Sequence, residues 1–405
     1  MSTATLENTT AHGAAVDWRA IRARYPAAGR GTFLNITSGT PLSNAAKAAV
    51  IDLLEAQSRG EADREWRMPL MNRARERFAQ LIRGKASEIA VTKNVTEGLN
   101  IVAHALDWRP GDNVVVCTEL EHPNNIYLWL ALKARGVEVR SPRAKNGAID
   151  TRAMIDAIDS RTRLVTAASV TFAPGFRTEL EAIGRACRKT GALYLVDAVQ
   201  SCGILDLDVD ACAIDALATS ASKGLIGIAG HGFLYVRSAW IDRLEPVYIG
   251  RYSIDRGAGH ESEIEDLSFT LVPDARRFEA GNYNWAGIAA VQASLAELLE
   301  VGTPAIEKRA TGLATALAEG LAGLGMPVTQ PPAGIERSHI VTVGRLGAGD
   351  TKTTGDPRLD RFAAALKKER VSYTIRKGLV RFGFHYFNDE GDVERVIAIA
   401  RESAA

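Results

Sequence analysis

Residues 192–200 read ALYLVDAVQ, and residues 216–224 read ALATSASKG. Each segment begins as a short apolar run, typical of a strand buried on both faces, and each run ends on polar residues. In an open α/β sheet, ligands bind at the carboxyl ends of the strands. The two segments therefore predict that Asp197 and Lys223 lie at a ligand-binding edge of a buried sheet.

The same kind of strand recurs on both sides of these segments. From about residue 30 to residue 240, short β-rich runs alternate with helical patterns. This alternation predicts a large α/β domain with a mostly parallel sheet and right-handed helical crossovers. The predicted strands are 88–92, 113–117, 137–140, 164–170, 192–196, 216–219 and 232–236, and the predicted helices are 96–106, 124–135, 151–158 and 180–190.

The pattern changes after about residue 240, where longer helices dominate. Predicted helices at 286–301, 305–324, 358–369 and 392–403 surround predicted strands at 340–343, 371–375 and 379–384. This mixture predicts a smaller C-terminal α+β domain. The predicted divisions are a disordered tail at 1–16, a segment at 17–30 that packs with the small domain, a large domain at 31–290 and a small domain at 291–405.

Composition excludes several classes of protein. The 405 residues carry 49 basic and 48 acidic side chains, which removes the positive footprint of a nucleic-acid binder. No apolar run is long enough to cross a membrane, and the first 17 residues lack the pattern of a signal peptide. Four cysteines without paired spacing indicate a reducing compartment, so we expect a cytoplasmic protein. The acidic run at 260–266 lacks metal-ligand spacing, and we expect no metal site.

The polar residues at the predicted strand ends suit an aromatic aldehyde phosphate. Backbone amides at a helix N-terminus, with the hydroxyls of Thr96 and Ser220, suit the phosphate. Asp197 could keep a pyridine nitrogen protonated, and Lys223 could form a Schiff base with the aldehyde. Each residue alone is more often a helix cap, a loop residue or a surface charge. Their shared edge and order make the joint prediction stronger than any single assignment.

Two further side chains complete this expected site. His122 follows the predicted strand at 113–117 and could lie flat against the ring of the ligand. Gln200 follows Asp197 by three residues and could reach the phenolic oxygen of the ring.

Six segments carry a resemblance to a known family: NVTEGLNIVAHAL (94–106), ELEHPNNIYLW (119–129), YLVDAVQSCG (194–203), TSASKG (219–224), RRFEAGNYNWAGIAA (276–290) and VRFGFHYFN (380–388). They resemble the class V aminotransferase family, the fold-type-I pyridoxal phosphate enzymes that include cysteine desulfurases and selenocysteine lyases. The resemblance covers about residues 30–400. It implies pyridoxal 5'-phosphate as the cofactor and a homodimer with shared active sites.

The resemblance also implies roles for individual residues. Lys223 would carry the internal aldimine and move the proton at Cα, Asp197 would pair with the pyridinium and His122 would stack on the ring. Asn282 would reach the phosphate of the neighbouring subunit. The implied cofactor-binding residues are Val95, Thr96, His122, Asp197, Gln200, Ser220, Ser222, Lys223 and Asn282, and the implied substrate-binding residues are Arg381, Arg376 and Phe172.

The sequence departs from the desulfurase branch in one respect that decides its chemistry. Desulfurases of this family use a cysteine on a C-terminal loop, whereas the cysteines here are Cys117, Cys187, Cys202 and Cys212. Cys202 lies near the expected site but on a different segment. We therefore expect no persulfide-forming thiol.

Two substitutions relative to the family move the expectation toward its lyase-like and epimerase-like branches. Phe172 stands where relatives often carry a polar residue, and Ser222 replaces a histidine before the lysine. The function expected first is β-elimination from an α-amino acid through a Cα carbanion, with a C–S bond as the bond broken. Transamination, epimerisation and a cofactor-binding regulator or scaffold without turnover remain as alternatives.

Overall fold

The computed structural model describes residues 15–255, 257 and 268–404. Most of the predicted tail at 1–16 and the acidic run at 260–266 lie outside the described residues.

The first part of the described chain is mainly helical. It comprises α1 (Trp18–Ala23), β1 (Thr32–Phe33), α2 (Asn44–Ser58) and α3 (Arg64–Leu81). The alternation predicted from about residue 30 begins only at residue 89, because α2 and α3 follow each other without a strand between them. Both helices carry ordinary start signals. Ser43 accepts a hydrogen bond from the Ala46 amide at 3.1 Å, and Asp63 accepts one from the Trp66 amide at 2.9 Å. Each side chain satisfies an amide that the first helical turn leaves unpaired.

The central part of the chain alternates strands with helices. In chain order it comprises β2 (Ile89–Thr92), α4 (Val95–Ala105), β3 (Asn113–Val116), α5 (Tyr127–Leu132), β4 (Glu138–Arg140), α6 (Thr151–Asp156), β5 (Thr162–Ala168), α7 (Leu180–Thr190), β6 (Leu193–Asp197), β7 (Ala216–Ser220), β8 (Gly232–Val236), α8 (Ser238–Ile241), β9 (Ile254–Asp255) and β10 (Thr270–Leu271). The helix predicted at 124–135 is shorter than expected, because Pro123–Asn125 and Lys133–Arg135 form 3-10 turns on either side of α5.

Seven of these strands form the main sheet, in the order β2-β8-β7-β6-β5-β3-β4. β8 runs antiparallel to both of its neighbours, and the other adjacent pairs are parallel. The prediction of a mostly parallel sheet is confirmed. β9 and β10 form a separate antiparallel pair.

The C-terminal part contains α9 (Trp285–Val301), α10 (Thr303–Gly323), β11 (Ile340–Gly344), α11 (Pro357–Lys368), β12 (Val371–Ser372), β13 (Thr374–Arg376), β14 (Leu379–Gly383) and α12 (Glu390–Ala404). β11, β14 and β13 form a three-stranded antiparallel sheet, which gives this part its α+β character. The strand predicted at 371–375 is two strands, because β12 pairs with β1 and β13 pairs with β14. The division predicted between residues 290 and 291 falls inside α9 and stays a prediction.

The N-terminal segment contacts the end of the chain. Arg22 in α1 forms an ion pair with Asp392 in α12 at 2.8 Å. The buried hydroxyls of Tyr25 and Tyr386 lie 2.7 Å apart. These contacts hold α1 beside α12.

Close packing of α4 on the sheet positions the predicted site. A Cβ atom at Gly98 would lie 2.9 Å from the Cβ of Ala218, which is too close for an ordinary side-chain contact. Glycine at this position therefore lets α4 approach β7, and the N-terminus of α4 lies near the carboxyl end of the sheet. Within the described part of the chain, no helix has the length and apolarity needed to cross a membrane.

Candidate active site

Asp197 and Lys223 lie at the carboxyl ends of adjacent parallel strands. Asp197 is the last residue of β6 and pairs in register with Ala218 of β7, and Lys223 lies three residues beyond the end of β7. Burial lowers the pKa of the Lys223 amine to about 8, and the Asp197 carboxylate opposes that shift. The two side chains therefore lie at the same edge of the sheet and interact electrostatically.

The Asp197 carboxyl is poised to accept a cationic donor. Its side chain is 3% exposed, and burial raises its pKa. The Val199 amide donates to Oδ1 at 3.0 Å, whereas the described residues supply no hydrogen bond to Oδ2. A carboxyl oxygen of a largely buried side chain gains from a hydrogen-bond donor, so a protonated ring nitrogen at this place would satisfy Oδ2. The ring nitrogen of the predicted cofactor fits this acceptor.

Glu121 is a second buried carboxyl near Asp197, to which sequence reasoning assigned no role. It is 1% exposed and accepts hydrogen bonds from the Ala168 amide at 2.6 Å and from the Asn125 side chain at 2.9 Å. Burial, together with the charge of Asp197, raises the pKa of Glu121 to about 7. Ala168 pairs with Asp197 across β5 and β6, which explains why the two carboxyls interact.

His122 is held as a neutral ring beside this edge. Its Nδ1 accepts a hydrogen bond from the Asn124 amide at 3.2 Å, so the proton of the neutral ring is on Nε2. Burial lowers the pKa of His122 to about 4, and the positive charge of Lys223 adds to the effect. The edge of the ring meets Phe172, with ring centroids 4.8 Å apart. An uncharged imidazole suits contact with the face of an aromatic ligand.

The start of α4 carries the predicted phosphate contacts. Asn94 caps the helix by accepting from the Glu97 amide, which leaves the amides of Val95 and Thr96 in the first turn without helical partners. The Thr96 hydroxyl accepts a hydrogen bond from Asn124 at 2.6 Å, so its own proton is available to an anion. The arrangement suits a phosphate at this helix N-terminus.

Two serine hydroxyls lie at the end of β7, next to this helix. Ser220 is buried as the last residue of β7, and its Oγ is 3.2 Å from the Oγ of Ser222. α4 packs on β7 at Ala218, two residues before Ser220. The hydroxyls of α4 and β7 therefore approach the same corner of the site.

Gln200 is buried and contacts a segment that sequence reasoning did not connect with the site. Its Nε2 donates to the Thr37 carbonyl at 3.2 Å. Three polar atoms of this segment are buried without partners, namely Asn35 Oδ1, Thr37 Oγ1 and Thr40 Oγ1. Unpaired buried polar atoms beside Gln200 indicate a surface that a bound ligand could complete.

Arg381 is a buried cation in β14, as the resemblance implied for a carboxylate ligand. It is 1% exposed, donates to the Phe172 carbonyl at 2.7 Å, and bonds the Thr374 hydroxyl at 3.2 Å. Burial lowers the pKa of its guanidinium to about 9, and the charge of Arg376 lowers it further. Among the described residues Arg381 forms no ion pair, so its charge is available to an anion.

Asn282 stands apart from the other predicted site residues. It is exposed, has a φ of +35° and lies just before α9. No hydrogen bond joins it to another described residue. Its predicted role is toward a neighbouring subunit, and that role stays a prediction.

None of the four thiols resembles a reactive nucleophile. All four cysteines are free. Burial raises the pKa of Cys202 to about 12, and those of Cys117 and Cys212 to about 11. A thiol with so high a pKa holds almost no thiolate at neutral pH.

His385 is a site residue that sequence reasoning missed. It is fully buried, and its ring contacts the carbonyl of Gly224, the residue after Lys223. The available signal was a histidine inside the aromatic run at 384–387.

Comparisons with known proteins show what the chain as a whole is similar to. The family model "Aminotransferase class-V" matches residues 52–396. A probable cysteine desulfurase of Methanothermobacter thermautotrophicus is 32% identical over 332 residues, which are 80% of this chain and 81% of that protein. An uncharacterized aminotransferase of Bacillus subtilis is 27% identical over 80% of this chain and 81% of that protein. The apo structure of a cysteine desulfurase from Thermococcus onnurineus superposes with a TM-score of 0.79 at 25% identity, covering 95% of this chain and 97% of the other.

Proposed function

Since the chain belongs to the class-V aminotransferase family of pyridoxal phosphate enzymes, we propose that it is a lyase that removes a sulfur-bearing group from Cβ of an α-amino acid. The observation that carries the proposal is the juxtaposition of Lys223 and Asp197. An amine with a lowered pKa and a buried carboxyl meet at one end of the sheet. These are the two groups that an aldehyde-bearing pyridine needs.

The chain's own residues divide the binding of the cofactor among them. Bound pyridoxal phosphate supplies an electron sink for a carbanion at Cα of the substrate. Asp197 would hold the ring nitrogen and His122 would cover a ring face, while Gln200 would contact the phenolic oxygen. The phosphate would be held by Val95, Thr96, Ser220 and Ser222.

Lys223 is suited to carry a proton at Cα. With its pKa lowered to about 8 by burial, a useful fraction of the amine is unprotonated near neutral pH. The same amine can return the proton when the reaction ends. Its position beside Asp197 keeps it at the reacting centre.

Arg381 would orient the substrate through the α-carboxylate. A planar guanidinium grips a carboxylate with two charge-assisted hydrogen bonds. The Phe172 carbonyl holds the guanidinium in place at 2.7 Å, and its ring lies under the guanidinium at 5.2 Å. The Cα–H bond can then be presented to Lys223.

The thiols favour release of sulfur over its storage on the protein. Sulfur transfer to the enzyme needs an accessible thiolate, whereas burial keeps the four thiols protonated. Elimination needs no such thiol: Lys223 takes the Cα proton, the electron pair left on Cα then forms the Cα–Cβ double bond, and the sulfur group leaves Cβ with the electron pair of the C–S bond. Hydrolysis of the resulting enamine product gives a keto acid and ammonia. The protonated thiols therefore favour a lyase over a persulfide-forming desulfurase.

Transamination is the second candidate, because the same residues would take part in it and two relatives, from Bacillus subtilis and Schizosaccharomyces pombe, are named as uncharacterized aminotransferases. Epimerisation follows as the third. Product analysis distinguishes the reactions. We expect the holoenzyme, incubated with sulfur-containing amino acids, to release sulfide or a thiol with keto acid and ammonia. Aminated cofactor or inverted substrate as the main product would replace the proposal, and a cofactor band that no amino acid perturbs would indicate a regulator.

We further propose a cytoplasmic homodimer with shared sites. Four large apolar side chains are exposed in the region preceding Asn282, namely Val247, Tyr248, Ile249 and Phe269. A second subunit would cover them and receive Asn282. Mixing the inactive variants Lys223→Ala and Asn282→Ala tests the sharing, because a mixed dimer contains one intact site. Recovered activity supports it, and a monomer in light scattering would contradict it.

A further inference from the structure

Arg376 and Arg381 project from the same face of the C-terminal sheet. β13 and β14 pair antiparallel, with Thr374 opposite Arg381 and Arg376 opposite Leu379. Side chains alternate along a strand, so residues 374 and 376 share the face of Arg381. The two arginines are thus diagonal neighbours, within about 7–8 Å of each other at the backbone.

Two contacts hold this hairpin against the substrate side of the site. Arg381 donates to the Phe172 carbonyl at 2.7 Å, and Lys377 donates to the Glu119 carbonyl at 2.8 Å. Glu119 lies three residues before His122, whose ring contacts Phe172. Arg376 is the last residue of β13 and immediately precedes the Lys377 anchor, and its charge acts on His122.

The charges in this space are unbalanced. The positive charge of Arg376 lowers the pKa values of His122, Lys223 and Arg381, so it reaches all three. Neither guanidinium forms an ion pair with any described residue. Within the part of the chain that the structure describes, Arg376 donates a single hydrogen bond, to the neighbouring Ile375 carbonyl at 2.8 Å.

The nearby acids do not neutralise this pair. Asp197 faces Lys223 and is assigned to the ring nitrogen. Glu121 is occupied by the Ala168 amide and Asn125. The predicted phosphate contacts lie at the start of α4 and at the end of β7. One substrate carboxylate balances one arginine and leaves the other without a counter-ion.

We propose that the amino-acid substrate carries a second anionic group, and that Arg376 binds it while Arg381 binds the α-carboxylate. This inference rests on the proposed function. The substrate class is an acidic amino acid, or a neutral one whose side chain ends in an oxidised, anionic sulfur or carboxyl group. Arg376 is then the residue that selects the substrate.

Binding of unreactive acids to the holoenzyme tests the proposal without turnover. The probes are succinate and glutarate, each compared with its monoamide by calorimetry. These molecules lack an amine, so neither can react with the cofactor. We expect the wild type to bind at least one diacid about tenfold more tightly than its monoamide, as expected for a charge-assisted hydrogen bond.

Three variants assign that preference. Arg376→Gln should abolish the preference for the diacid. Its affinity for the diacid should fall about tenfold, while its affinity for the monoamide stays within about twofold of the wild type. Arg381→Gln should weaken diacid and monoamide alike. The matched control is Arg401→Gln, an exposed arginine in α12, which should bind both probes like the wild type.

Two results would overturn the inference. One is equal binding of both diacids and their monoamides to the wild type. The other is an unchanged preference in Arg376→Gln. Failure of the proposed function is seen separately, as a protein without a cofactor absorption band, or one whose band no amino acid perturbs.

Discussion

The Nε2 atom of His385 lies 2.9 Å from the carbonyl oxygen of Gly224, the residue that follows Lys223. The Tyr386 amide donates to Nδ1 of the same ring at 2.8 Å, so the neutral ring carries its proton on Nε2 and donates it to Gly224. The backbone of Gly224 packs closely against that of Cys202, because a Cβ atom at position 224 would lie 2.2 Å from the Cys202 carbonyl oxygen. The end of β14 thus fixes the backbone that presents the lysine.

Replacement of His385 should disturb the lysine without removing it. We expect His385→Ala to raise the dissociation constant of the cofactor about tenfold and to shift the pH midpoint of its visible band, because a buried carbonyl loses its donor. In His385→Gln an amide N–H can replace the imidazole donor and should restore most of both properties. A purely structural role would lower the melting temperature of His385→Ala and leave the pH midpoint unchanged.

The same histidine should couple folding to pH. Burial lowers the pKa of His385 from 6.5 to about 4. Between pH 4 and pH 6.5, the imidazole is therefore protonated in the unfolded chain and neutral in the folded chain. Its contribution to stability is complete above pH 6.5 and is lost as the pH falls toward 4. The difference in unfolding free energy between wild type and His385→Gln should therefore shrink by up to about 3 kcal/mol over this range. Denaturant titrations at several pH values check this, and a constant difference would contradict it.

The reactivity of Lys223 should follow its lowered pKa. In the apoprotein, competitive labelling of lysines with mass detection should show Lys223 gaining reactivity around pH 8, whereas exposed lysines do so near their ordinary value of 10.5. Asp197→Asn removes a charge that raises this pKa, so the midpoint should move lower. A midpoint near 10.5 would show that burial does not control the amine, and an upward move in Asp197→Asn would show that the charge of Asp197 does not raise its pKa.

The thiols should take no part in the reaction. Because burial raises their pKa values, we expect slow reaction with a thiol reagent at pH 8 in the folded protein and rapid reaction of all four after unfolding. Cys202→Ala should release product sulfur at a rate within about twofold of the wild type. A persulfide on any cysteine, or loss of turnover in Cys202→Ala, would restore the desulfurase interpretation.

The parts of the site that the sequence predicts are those that depend on local patterns. Asp197 and Lys223 follow apolar strands, and parallel strands bring their carboxyl ends to one edge regardless of loop detail. The contact of His385 with Gly224 joins residues 161 positions apart in the sequence, and the contact of Gln200 with Thr37 joins residues 163 positions apart. No periodicity encodes such pairs, because they depend on how the C-terminal sheet and the segment at 34–40 pack on the large sheet.

The start of the chain shows the same limit. α2 and α3 pack against α9, which is more than 200 residues away, so much of their stability comes from tertiary contacts. Ser43 and Asp63 are residue types that favour the start of a helix, but they do not indicate which part of the chain the helix packs against.

We expect Lys223 to be the residue that binds the cofactor covalently, beside Asp197. The most direct measurement is borohydride reduction of the holoenzyme, followed by proteolysis and mass spectrometry. We predict the mass of one reduced cofactor on the peptide that contains Lys223, and none on any peptide of Lys223→Ala. A reduced cofactor on a different lysine, or trapping that persists in Lys223→Ala, would contradict the account.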